Sequence, residues 1–279
     1  MNRGFLASLG VIAVVALAPL SVVRGQAPAA KARSTKPAAA LKTPWGDPDL
    51  QGMWSNNNQV PFQRPEQFKD KEFLTDEEVA ALEKQTEANR DRPPAKGQVG
   101  LYNSFWLERG KRANRTSQIT DPPNGRLPPL TPQAQARYDD ALKRRGNPSH
   151  WEDRDMYERC ITRGMPGAMI PGFYNHVYQI LQSPGYVVIL VEMIHDARII
   201  PVDGRPALPG VVKQWMGDSR GRWEGNTLVV ETANLNGKNS NAYVFALQAG
   251  ESARVTERFT RVDSNTIDYS YSVNDPGTW

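Results

Sequence analysis

At Asn175 the apolar residues change their spacing, and that change constrains the fold more than any other feature of the chain. Before it, Ala134, Tyr138 and Leu142 recur at helical spacing. After it, apolar residues alternate or run together in β-branched stretches bounded by turn residues. Val177–Gln182 and Tyr186–Met193 are separated by Ser183-Pro184-Gly185, and Ala197–Val202 runs into Asp203-Gly204. Trp223–Thr232 contains a Gly225-Asn226 pair. Arg254–Val262 is joined to Thr266–Val273 by Asp263-Ser264-Asn265, a hairpin signature. In the first strand of that pair Val255, Glu257, Phe259 and Arg261 alternate with Thr256, Arg258, Thr260 and Val262. Successive strands joined by tight turns predict an antiparallel meander, curled into a barrel or a sandwich.

The preceding half reads as loops and helices. Thr75-Asp76-Glu77-Glu78 is a capping box that opens a helix ending before Pro93-Pro94. Thr131-Pro132 opens a second, with the threonine as cap and proline at the first helical position. Ser149-His150-Trp151-Glu152 predicts a third, running to about Cys160, with His150 at its N-terminus. The fold class is therefore mainly β with an α-helical N-terminal half (α+β). Residues 45–170 form the loop and helix region and residues 171–279 the antiparallel β region of one domain.

Two short segments precede that domain. Arg3, the apolar stretch from Phe5 to Val23 and the small residues Gly25 and Ala27 have the three-part pattern of a secretory signal over residues 1–27. Residues 28–44 read as a flexible Ala/Pro/Lys tether. The chain carries 34 Lys+Arg against 30 Asp+Glu, but residues 1–42 hold six of the basic residues and no acid, leaving 28 against 30 in the body. That balance excludes a basic nucleic-acid-binding domain. Phosphate-loop, dinucleotide and zinc-type cysteine motifs are missing from the sequence. No cofactor and no metal are expected, since His176, Glu192 and His195 match no tight ligand spacing. After cleavage no stretch is left to span a membrane.

The candidate site lies between Tyr186 and Thr232, where strand-like sequence is interrupted by ionisable groups. Such groups are either paired or line a cavity. His195, Glu192 and Asp196 are the catalytic candidates, with His195 as the one group that titrates near neutral pH. Arg198, Arg220, Arg222 and Trp223 are the ligand-binding candidates, because guanidinium forks match carboxylates. Alternation places Asp196 and Arg198 on one face, where they would pair. The competing reading makes these charges salt bridges that close strand ends. Tyr174, Tyr178 and Tyr186 read as core and rim aromatics.

The strings DPDLQGMW, DPPNGRLPPLT, ERCITRGMP, YQILQSPGYVVILVEMIHDARIIPVDGRP and GDSRGRWEGNTLVVET resemble an exported bacterial family with no settled activity. The resemblance spans nearly the whole chain after Thr43 and implies no function. It does imply further strands beyond a terminal Asp-Pro-x-Thr-Trp string, which here ends the chain at Trp279. On that expectation Cys160 is either a buried free thiol or half of a disulfide whose partner lies past Trp279. Gly52-Met53-Trp54 is similar to the Gly-x-Trp of lipocalin-like barrels.

Two functions follow from these residues. One is a cofactor-independent lyase or hydrolase acting on a small anionic or aromatic compound, with His195 as base. The other is a periplasmic or secreted protein that binds such a small molecule without catalysis. Both require export. Intact-mass analysis of periplasmic or culture-medium protein is expected to give a chain beginning near Pro28; full-length protein starting at Met1 in the cytosol would refute export.

Overall fold

The computed structural model describes residues 41–90, 93, 96, 106–108, 110, 112–172, 174–238 and 249–279. Its strands are β1 (Gly52–Ser55), β2 (Val177–Ser183), β3 (Tyr186–Val191), β4 (Ala197–Pro201), β5 (Asp218–Glu224), β6 (Thr227–Ala233), β7 (Arg254–Arg261) and β8 (Ile267–Asn274). Two α-helices, α1 (Asp76–Ala88) and α2 (Pro132–Gly146), lie between β1 and β2 in the chain. The strands form two four-stranded antiparallel sheets, ordered β1-β2-β3-β4 and β5-β6-β7-β8. The sheets are not closed into a barrel, so of the two predicted forms the structure has the open, sandwich-like one.

Turn chemistry sets the hairpins. Gly185 ends the β2–β3 turn at φ 79° and Gly225 opens the β5–β6 turn at φ 60°, backbone conformations that a side chain disfavours. Between β7 and β8, the Asp263 carboxylate accepts from the Asn265 amide at 2.7 Å. One expectation needs correction here. The strand expected to begin at Trp223 begins at Asp218, so the charged run Asp218–Glu224 is strand β5 and the turn is Gly225-Asn226.

The helices follow their caps. The Thr75 hydroxyl accepts from the Glu78 amide and the Glu78 carboxylate accepts from the Thr75 amide, as the capping box requires. No residue of α1 is buried, and α2 buries only Ala134. Neither helix therefore covers a sheet with an apolar stripe. The third expected helix does not form. Residues Trp151–Asp153 make a single 3-10 turn, although the Asp153 carboxylate accepts from the Ser149 and His150 amides at 2.9 and 2.8 Å as a capping box does.

The inner faces of the two sheets share one core. Ile180, Ile189 and Ile200 meet Leu228, Val230, Val255 and Phe259, all at most 4 % exposed. Each such side chain contributes about 1.5–3 kcal/mol when fully buried. Into this core run two charges. Arg198 on β4 donates to both carboxylate oxygens of Glu257 on β7, at 3.0 and 2.5 Å, and the Tyr269 hydroxyl donates to the same carboxylate at 3.0 Å. At the sheet ends Arg261 donates to the Asp49 carbonyl at 3.0 Å and stacks 5.2 Å from the Trp54 ring centroid.

Removing one member of a buried pair leaves an uncompensated charge. Glu257→Ala is expected to lower the unfolding free energy by about 3–5 kcal/mol, while Arg198→Met with Glu257→Leu restores most of the loss. Urea denaturation of the three proteins checks this.

Candidate functional site

The residues singled out in the sequence fall in four separate places. Strand β3 stops at Val191, and Glu192–His195 turn through Ile194 at φ 63° and His195 at φ 47°. Glu192 accepts from the Val177 amide at 3.1 Å, which joins the turn to β2. The His195 side chain is exposed on that turn, beside Asp196. Asp196 does not pair with Arg198. It accepts from the Thr162 hydroxyl at 2.6 Å, and partial burial raises its pKa. The predicted pairing fails because Arg198 enters the core to meet Glu257, while the turn carries Asp196 toward Thr162.

The remaining arginines have local partners. Arg220 donates to Asp218 and to the Pro206 and Ser219 carbonyls. Arg222 lies on the outer face, bridging Glu231 at 2.6 Å and Glu224 at 2.9 Å. Trp223 is half-buried against the core. Among the described residues none of these arginines reaches His195 with a hydrogen bond or ion pair. Cys160, expected as a buried thiol or a disulfide half, is exposed and unpaired.

Sequence reasoning missed a buried polar group beside the core. Arg163 donates to His176 Nε2 at 3.0 Å, and Gly172 leaves room only for a bare backbone against that imidazole. Since guanidinium can only donate, Nε2 accepts and the proton sits on Nδ1. Burial, with Arg163 second, lowers the His176 pKa from 6.5 to about 4. Nearby, the Tyr178 hydroxyl donates to the Ala168 carbonyl and accepts from Asn56, and burial raises its pKa to about 12. Tyr178 is thus held on both sides by protein partners, whereas the buried Nδ1 of His176 meets no hydrogen-bond acceptor among the described residues.

A cleft of about 500 Å³ opens elsewhere, between α2, residues 151–159, Trp215 and the chain around residues 237–238 and 249–250. Its parts are fixed in place. The amide and hydroxyl of Thr131 at the start of α2 donate to the Thr278 and Gly277 carbonyls. Gly250 and Ser252 donate to the buried carboxylate of Asp275 at 2.6 and 2.9 Å. The Gln214 amide donates to the Asn234 carbonyl at 2.9 Å and its carbonyl accepts from the Asn236 amide at 3.0 Å, which holds the chain beside Trp215.

The charges of this cleft are unequal. Asp140 is paired with Arg144 at 2.9 Å and Asp155 with Arg145 at 3.1 Å. Asp153 is held by the two backbone amides that also keep its pKa low. Arg137 donates only to a carbonyl, that of Gly277 at 3.2 Å. Arg159 stacks 4.5 Å from the Trp151 centroid, and the Lys238 ammonium meets no carboxylate among the described residues. Trp151 is 59 % exposed, so its ring is open to a ligand. Among the described residues no histidine lines the cleft, and no three metal-ligating side chains gather anywhere. No family model matches this chain, and neither the curated proteins nor the solved structures contain a significant match.

His176 gives the structure a pH dependence. Its folded pKa lies below its unfolded one, so the unfolded chain binds the proton first as the pH falls. The contribution is complete above about 6.5 and is lost between about 6.5 and 4, amounting to about 3 kcal/mol. His176→Gln is expected to flatten the stability profile in that window relative to the parent, as read by denaturant titrations at successive pH values.

Proposed function

We propose that this protein is exported and binds a small ligand that carries a carboxylate or similar anion beside a ring, without catalysing its conversion. The observation that carries this reading is the cleft beside α2. There Arg159 stacks on the exposed ring of Trp151, and Arg137, Arg159 and Lys238 line the cleft without carboxylate partners among the described residues. A guanidinium already stacked on an indole offers both elements a ring-bearing anion needs. These are a flat apolar surface and a planar donor fork whose orientation is set before the ligand arrives. The cleft is lined by Arg137, Arg144, Arg145, Arg154, Arg159 and Lys238 against Asp140, Glu152, Asp153 and Asp155, so an entering anion meets net positive charge.

Binding is favoured over catalysis by the placement of the histidines. A general base must stand within hydrogen-bond reach of the proton it takes. His195 is exposed on a turn away from the arginines, His176 is buried as a neutral acceptor for Arg163, and His150 caps a turn through Nδ1.

The test uses 4-hydroxybenzoate and galacturonate as probes, with phenol and galactose as uncharged counterparts, followed by calorimetry and tryptophan fluorescence. At least one carboxylate is expected to bind at roughly millimolar concentration or below, with its uncharged counterpart far weaker. Arg159→Gln is expected to weaken that binding by about tenfold or more, since hydrogen bonds to charged groups contribute about 1.5–3 kcal/mol. Equal binding of charged and uncharged probes, or none at all, would defeat the proposal.

A further inference from the structure

The sequence contains two Asn-Gly pairs, Asn124-Gly125 and Asn236-Gly237, and the fold holds them differently. Both asparagines make the same local turn. Asn124 Oδ1 accepts from the Arg126 amide and Asn236 Oδ1 from the Lys238 amide, each at 3.0 Å. That turn folds the side-chain carbonyl back over the peptide bond to the glycine. The glycines then part company. Gly125 is buried against Ser117 and Arg64, and its amide donates to the Pro122 carbonyl at 2.9 Å. Gly237 is exposed, and its amide meets no acceptor among the described residues. The fold also demands glycine at 237, since φ is 68° and a Cβ would lie 2.6 Å from Glu251 Cγ.

We infer that Asn236-Gly237 is a site of spontaneous deamidation that lowers the positive charge of the cleft beside α2. The Gly237 nitrogen, with no side chain on its own residue to hinder it, attacks the Asn236 side-chain carbonyl carbon. A carbon–nitrogen bond forms, the bond to Nδ2 breaks, and ammonia leaves with the proton given up by the amide. Solvent water then opens the cyclic imide at either carbonyl, to aspartate or isoaspartate. The peptide must turn about Asn236 for this attack. An exposed amide without a hydrogen bond permits that motion, and the buried, bonded Gly125 amide resists it. The effect follows from position. Gly237 and Lys238 line the cleft, and Lys238 meets no carboxylate among the described residues. A new carboxylate two residues before Lys238 offsets its charge, and isoaspartate also lengthens the backbone of the lining. Anions are then held less tightly as the protein ages. This effect rests on the reading of the cleft as an anion site, whereas the modification itself does not.

The test incubates the purified protein in mildly alkaline buffer at physiological temperature and follows it by peptide mass spectrometry. A gain of about one dalton is expected at Asn236 within weeks and not at Asn124, with part of the product as isoaspartate. The gain is expected to slow in mildly acidic buffer, because the attacking amide must lose its proton. Asn236→Gln is expected to stay unmodified at that position, since ring closure through the longer side chain is far slower. Asn236→Asp is expected to bind 4-hydroxybenzoate roughly threefold to tenfold more weakly than the parent, the effect of one added charge several ångströms from an anion in a solvated cleft. Its melting temperature is expected to be unchanged, because aspartate can accept from the Lys238 amide as asparagine does. An intact Asn236, or equal rates at Asn124 and Asn236, would overturn the inference. Asn236→Asp binding the probe as tightly as the parent would overturn the effect on the cleft. A parent that binds neither 4-hydroxybenzoate nor galacturonate would overturn the cleft reading and that effect with it, while the mass gain still decides the modification.

Discussion

The ion pair between Arg198 and Glu257 decides how this chain can fold. Strand β4 reads Ala-Arg-Ile-Ile-Pro, a sequence with two available faces. Hydrophobicity alone would turn Ala197, Ile199 and Pro201 inward and leave Arg198 in water. In the structure Arg198 and Ile200 are inside and Ala197 and Ile199 out, while Pro201 at the strand end is buried as well. A shift of one residue exchanges the faces of a strand, and the alternative would leave Glu257 alone at 0 % exposure on β7. Several kcal/mol of uncompensated burial oppose that register. The pair thereby fixes the face of β4 and the facing of one sheet toward the other, and it exposes Ile199. Apolar residues of the same size could supply equal or greater stability; what the pair adds is the choice between registers.

The sequence was legible wherever the determining chemistry is local. The cap at Thr75, the proline start of α2, the glycine turns at Gly185 and Gly225, and the alternation of β7 each depend on residues a few positions apart. The failures arise where local chemistry says too little. The cap at His150 and Asp153 marks where a helix can start but not how far it runs, and the turn ends after Asp153. Glu257 was placed by alternation on the face of Val255 and Phe259, which was correct and should have marked it as buried. Its partner lies 59 residues away in the chain, and no spacing rule reaches that far.

The density of charges between Tyr186 and Thr232 pointed to a site for a reason that is sound only in part. Ionisable groups in strands do need partners, but partners can be close. Arg220 finds Asp218 two residues away, Arg222 finds Glu224 two residues away and Glu231 across the hairpin, and Arg198 finds Glu257. Each pair closes on itself, so density was not convergence. The cleft residues Arg137, Trp151, Arg159 and Lys238 come from a helix, an irregular segment and a loop, and sequence separation hid their proximity.

The distribution of unpaired charge ties these points together. The strands satisfy their charges locally or in the core. The helices α1 and α2 bury almost nothing and so contribute little to the core. What α2 does contribute is position. Its first turn is tied to the tail at Gly277 and Thr278, and its last turn carries Lys143, Arg144 and Arg145, where cations are favoured by the helix dipole. Arg144 and Arg145 then hold the acids of the 151–158 segment, which keeps Trp151 at the lip of the cleft with Arg159 stacked on it. The part of the molecule that adds least to the core is thus the part where, among the described residues, Arg137, Arg159 and Lys238 line a cleft without carboxylate partners.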